Sequence, residues 1–180
     1  MRFAALTARL VVPAIWLGLI IAIDLIEAPL KFQAPGITIP LGLGIGRLVF
    51  TAMNIVEGVL AIVLIAAVVT TRQLRPAWTL LATITGILLV KVAIVRPLLN
   101  ARTEAVLAGT AAPGSAVHLV YIALDGLLFI ALAVFAYLQA RTLIGPAATG
   151  VQAGAAGIGS GAAGAGAGGS RPAGDHIRSS

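Results

Sequence analysis

Leu48-Val49-Phe50-Thr51-Ala52-Met53-Asn54-Ile55-Val56-Glu57-Gly58-Val59-Leu60-Ala61-Ile62-Val63-Leu64-Ile65-Ala66-Ala67-Val68-Val69-Thr70 is an apolar run with one carboxylate near its middle. At 1.5 Å per residue, about twenty residues cross a hydrocarbon core of roughly 30 Å, so the run predicts a membrane helix. Three similar stretches accompany it, about residues 10–28, 77–99 and 118–139, and each also holds a charge: Asp24, Lys91 and Asp125. A charge at the centre of a membrane helix costs about 2.5 to 3.5 kcal/mol on insertion scales, so these side chains are expected to turn inward and partner one another. The expected fold class is all-α, an integral membrane four-helix bundle over residues 1–144.

Composition agrees. The chain of 180 residues is 59% hydrophobic with a mean hydropathy of +1.06, far too apolar for a soluble domain of this length. Cysteine is absent, which excludes disulfides, thiolate metal sites and thiol catalysis. Two His and two Met leave little to hold copper, zinc or haem, so no metal and no cofactor are expected. The net charge of +6 comes from arginines standing singly at the ends of apolar runs, without the aromatic-interleaved stripe of a nucleic-acid binder.

Those arginines read as topology signals. Arg2 and Arg9 precede the first span, Arg72 and Arg75 fill the short link between the second and third, and Arg141 follows the fourth. They predict a multi-pass protein of a bacterial cytoplasmic (inner) membrane with both termini in the cytoplasm. The opposite side holds Lys31, Arg47, Arg96 and Arg102, offset in part by Glu27 and Glu104. The first span could also be a signal peptide. Asp24 interrupts it late, and Pro29 would follow a cut after Ile26-Glu27-Ala28, so it reads as an uncleaved helix.

Between the first two spans, Pro29 to Gly46 is rich in Pro and Gly and is expected to be a loop at the interface or folded over the bundle mouth. Its Gly42-Leu43-Gly44-Ile45-Gly46 has the wrong spacing for a dinucleotide fingerprint, and no strand precedes it. From residue 145 to 180 the chain is mostly Gly, Ala and Ser, a composition unable to form a core, and a disordered cytoplasmic tail is expected there.

Depth and helical phase both bring the charges together. Measured from the middle of each span, Glu57 lies roughly 3 Å, Lys91 roughly 4 to 5 Å, Asp125 roughly 5 Å and Asp24 roughly 7 Å away, all toward the same side. Arg47, Phe50, Asn54 and Glu57 share one helix face, as do His118, Tyr121 and Asp125, and Asp24 and Glu27 are three apart. Lys91 and Arg96 diverge by about 140° on a regular helix and address different partners. The ion- or ligand-binding set expected is therefore Asp24, Glu27, Asn54, Glu57, Lys91, Arg96, Tyr121 and Asp125. Acids outnumber Lys91 at the deepest level. Either Arg96 or Arg47 reaches inward, or a carboxyl holds a proton, or the group binds a cation. Tyr121 and Trp16 read as belt or packing aromatics, His118 as an interfacial residue, and Thr83 and Thr85 as bonded back to their own helix.

The segment Ala28-Pro29-Leu30-Lys31-Phe32-Gln33-Ala34-Pro35, followed by Gly46-Arg47 with Phe50, Asn54 and Glu57, resembles a pattern in bacterial four-helix membrane proteins. It is distantly similar to the transmembrane protein 205-like family, whose function is unknown. The resemblance implies four membrane helices and no assigned activity, and Lys91 and Asp125 lie outside it.

Three classes of function follow. One is proton- or ion-coupled transport of a small solute, with Glu57 and Asp125 as exchanging carboxylates, in a homo-oligomer that supplies enough wall. Another is a structural or accessory subunit packed on a larger membrane complex. The third is a membrane enzyme acting on lipid or quinone, for which Asp24, Glu27 and His118 are the only acid/base candidates. No catalytic motif is present, so enzyme activity is not expected.

Overall fold

The computed structural model describes residues 2–71, 73–112 and 116–163, with side chains as far as 142. Among the described residues, four helices are long and apolar enough to cross a membrane: α1 (Arg2–Gln33), α2 (Ile39–Thr70), α3 (Arg75–Leu107) and the Ala116–Thr142 part of α4 (Ala116–Ala163). No strand occurs among the described residues. The chain divides into two units. Met1–Arg141 holds the bundle core, and Thr142–Ser180 is helical in backbone as far as Ala163. Of the tail expected to be disordered, 145–163 therefore has helical backbone, consistent with its alanines, the best helix formers. Residues 164–180 lie outside the described residues.

The helices outrun the expected spans, and α2 starts at Ile39 rather than near Leu48. Thr38 caps that helix by accepting the Leu41 N–H at 3.3 Å, and Pro40 sits in the first turn, where its missing N–H costs nothing. Gly42, Gly44 and Gly46 are thus helical, and only residues 34–38 turn, with Gly36 at φ +78°. Each helical glycine costs about 1 kcal/mol against alanine. Two of them have a packing reason: a Cβ at Gly42 would fall 2.3 Å from the Phe32 ring, and one at Gly46 would fall 2.8 Å from Lys31 Nζ. The end of α1 folds back onto these bare positions. Helix α3 stops at Gly109 (φ +73°), whose N–H meets Val106 O while Thr110 N–H meets Ala105 O, the paired bonds of a Schellman cap.

Trp16, Ile20, Met53, Leu64, Ile84, Leu88, Leu128, Leu132 and Phe135 fill the centre of the bundle, and α1 and α2 pack along much of their length. Outward-facing Val11, Ile15, Ile55, Ile62, Leu89, Ile94, Leu127 and Ile130 leave the outside about as apolar as the core. Helices hydrophobic all round are compatible with surroundings of lipid.

Candidate functional site

Two prolines shape the site. Pro29 and Pro97 cannot donate to, and crowd, the carbonyls of Leu25 and Ala93 four residues before them. In both helices the preceding turn is widened into a π-helical segment, Ile21–Glu27 in α1 and Lys91–Val95 in α3. The register there is i to i−5: Ala28 N–H bonds Ile23 O, and Arg96 N–H bonds Lys91 O. Such wide turns recur at functional positions. Here one carries Asp24 and the other opens on Lys91.

Lys91 is fully buried and its Nζ lies 2.9 Å from Glu57 Oε1 and 2.7 Å from Oε2. It also pairs with Asp125 Oδ1. Glu57 accepts a second hydrogen bond at Oε1 from the indole N–H of Trp16, at 3.0 Å. All four helices therefore reach one point. Asp24 comes within hydrogen-bonding range of Asp125, yet Asp24 Oδ2 and Asp125 Oδ2 are buried and receive no donor. Two acceptors can join only through a proton. Tyr121 stands beside this centre with Lys91 Nζ 5.1 Å from its ring, and its hydroxyl donates to Asn54 Oδ1 at 3.2 Å.

Six of the eight expected residues thus gather: Asp24, Asn54, Glu57, Lys91, Tyr121 and Asp125. Glu27 and Arg96 do not. Glu27 pairs with Lys31 at 3.3 Å, because in a widened turn a spacing of three no longer returns to the face of Asp24. Arg96 donates to Arg47 O at 3.2 Å and to Thr51 Oγ1, one turn nearer the helix end than Lys91. Arg47 faces Glu104 at 3.2 Å in an exposed pair. Neither arginine reaches inward, and among the described residues Lys91 is the one cation facing three carboxyls. Among the described residues no three His, Asp or Glu form a metal-holding group, and the ammonium stands where a cation would sit.

Two contributors were not expected. Trp16, placed above as a belt or packing aromatic, is completely buried and bonded to Glu57; the steps of four through Trp16, Ile20 and Asp24 carry that signal. Arg9, read as a topology signal, is also buried and donates to Gln73 Oε1 and Gln139 Oε1. Spacings of three and four from Arg9 through Val12 and Pro13 to Trp16 and Ile20 trace the buried stripe of α1. Of the acid/base trio weighed for an enzyme, Asp24 faces Asp125, Glu27 pairs with Lys31, and His118 lines a cavity at the end of the bundle.

Fold and centre together define a class, a four-helix bundle, apolar outside, around a buried ion centre. Comparison of the chain with protein-family models, curated proteins and solved structures finds no match.

Proposed function

We propose that the chain is a multi-pass membrane protein that moves protons, coupled to a small solute, through the centre on Lys91. The observation supporting this is the excess of acid: Glu57 and Asp125 share one ammonium while Asp24 abuts Asp125. In an interior of low dielectric, adjacent carboxylates do not both stay ionised, so a proton lies between Asp24 and Asp125. With it the centre keeps one net negative charge; a second proton brings it to neutrality. The groups facing this exchange are Asp24, Glu57, Lys91, Asp125 and the Tyr121 hydroxyl. Two accessible charge states walled by four helices are the minimum a proton-coupled carrier requires. The distribution of arginines supports a bacterial inner membrane with both termini on the cytoplasmic side, and in this reading a homo-oligomer supplies the remaining wall.

The test is proton movement into liposomes that hold the purified protein and a pH-sensitive dye, under an imposed gradient. Glu57→Gln keeps an acceptor for Trp16 and Lys91 but loses the carboxylate, so movement should stop while insertion and elution stay those of the parent protein. No movement with the parent, or undiminished movement with the variant, ends the proposal. A second reading, an accessory subunit of a membrane complex, is favoured by the way one cluster ties all four helices together. It expects a stoichiometric partner on purification and a Glu57→Gln protein that fails to accumulate.

A further inference from the structure

At the end of the bundle where residues 34–38 and 108–112 turn, the four helices leave a cavity of about 200 Å³. Lys31, Arg47, Arg96 and Arg102 line it, with His118 at the start of α4. No acid lines it. Glu27 and Glu104 each occupy one of these cations from outside, pairing with Lys31 and Arg47. Arg96 and Arg102 have no such partner among the described residues: Arg96 donates to a carbonyl and a hydroxyl, and Arg102 donates to Ala112 O at 3.3 Å. Two guanidiniums thus stand uncompensated on one wall, with planar forks suited to a carboxylate or phosphate.

Asn100 and Thr103 add polar groups from α3, and Phe32, Leu43, Phe50, Leu99 and Val106 make most of the remaining wall apolar. A cationic rim over such walls suits an anion carrying an apolar body. Drug-sized ligand sites run from roughly 300 to 1,000 Å³, so this cavity calls for something smaller. A side chain at Gly42 would drive into the Phe32 ring, whereas one at Gly46 would push the Lys31 ammonium aside.

The cavity also connects to the buried centre. Phe50 lines it and meets Tyr121 edge to face, ring centroids 5.4 Å apart at 72°. Lys31 Nζ lies 5.3 Å from the Phe50 ring, and Lys91 Nζ 5.1 Å from that of Tyr121. The Phe50–Tyr121 pair thus runs from the cavity lining to the ammonium of the carboxyl centre.

We propose that this cavity binds a small organic anion, a carboxylate or phosphate with a compact apolar body, held by Arg96 and Arg102 above the Phe50–Tyr121 pair. Calling that anion the transported solute rests on the proton-coupled reading above; binding itself does not. The same chemistry could arrive from water or from an anionic lipid headgroup.

The experiment titrates benzoate, with uncharged benzamide beside it, into the full chain in phosphatidylcholine nanodiscs, and repeats the titration in discs containing phosphatidylglycerol. Benzoate should bind saturably and benzamide should not. Replacing Arg96→Gln with Arg102→Gln should weaken binding by about tenfold or more, and Arg102→Gln alone, at an exposed position, should lose less. Arg75→Gln at the opposite end should change nothing. Phosphatidylglycerol that displaces benzoate, or that is itself retained through the same arginines, identifies the lipid headgroup as source and keeps the site. Absence of both anions, or binding indifferent to Arg96 and Arg102, overturns it. Benzoate binding without proton movement removes the transport reading alone; proton movement without anion binding removes this one alone.

Discussion

Among the described residues two buried cations link the helices, and their surroundings differ. Lys91 faces Glu57 and Asp125, with Asp24 behind, so acids outnumber the base. Arg9 faces only the side-chain oxygens of Gln73 and Gln139 and enters no ion pair among the described residues. Both link helices: the first reaches all four, the second joins α1 to the α2–α3 connection and α4. Amides do not titrate and a guanidinium does not lose its proton, so the Arg9 cluster has one charge state. The Lys91 cluster has several. A clamp needs only the first kind of arrangement, which makes the acid excess at the second the feature that asks for a function.

The largest effect should come from Lys91→Met, which leaves three carboxyls together without a cation. Breaking a buried pair from one side costs about 3 to 5 kcal/mol. Thermal unfolding of the purified protein in detergent should register that loss. Neutralising the partners as well, with Glu57→Gln and Asp125→Asn added to Lys91→Met, should return most of it, because the penalty lies in stranded charge rather than in lost shape. If the triple variant stays as unstable as the single one, the centre is a packing element and the contrast with Arg9 is gone.

Arg9→Met should cost less, about 1 to 3 kcal/mol for hydrogen bonds to a charged group, since it removes the donor to two amide oxygens and strands no charge. Proton movement in liposomes should persist. A variant that kept its fold yet lost movement would place Arg9 in the proton path and break the division drawn here.

The two clusters were also unequally visible in the sequence. Glu57, Lys91 and Asp125 announce themselves because a charge inside an apolar run demands a partner, and the alternating direction of the spans brings them to one depth. Asp24 was legible for the same reason. Arg9 was hidden, because an arginine near a helix end looks like a topology signal until α1 is known to begin at Arg2. Glu27 was misplaced by the widened turn, which regular helical phase does not anticipate, although Pro29 is its visible cause. The Gly-Pro stretch through Gly46 reads as a loop on propensity. The packing of Phe32 and Lys31 onto bare glycine backbone makes it helix instead, a tertiary effect that no local window contains.

The finest test of the comparison lies at Tyr121, which touches the ion centre without belonging to its charge. Tyr121→Phe keeps the ring against Phe50 and beside Lys91 and removes only the hydroxyl bond to Asn54. Interhelical hydrogen bonds in membrane bundles contribute about 0.6 kcal/mol on average, so stability should fall by about that much. Asn54 Nδ2 is already without a partner, and the variant leaves Asn54 Oδ1 without one as well. If the aromatic pair merely packs between the cavity lining and the centre, proton movement should continue at close to the parent rate. A large drop in rate with stability almost unchanged would instead make the hydroxyl a carrier of the proton between Asn54 and the carboxyls, and would extend the titrating region toward the cavity by one side chain.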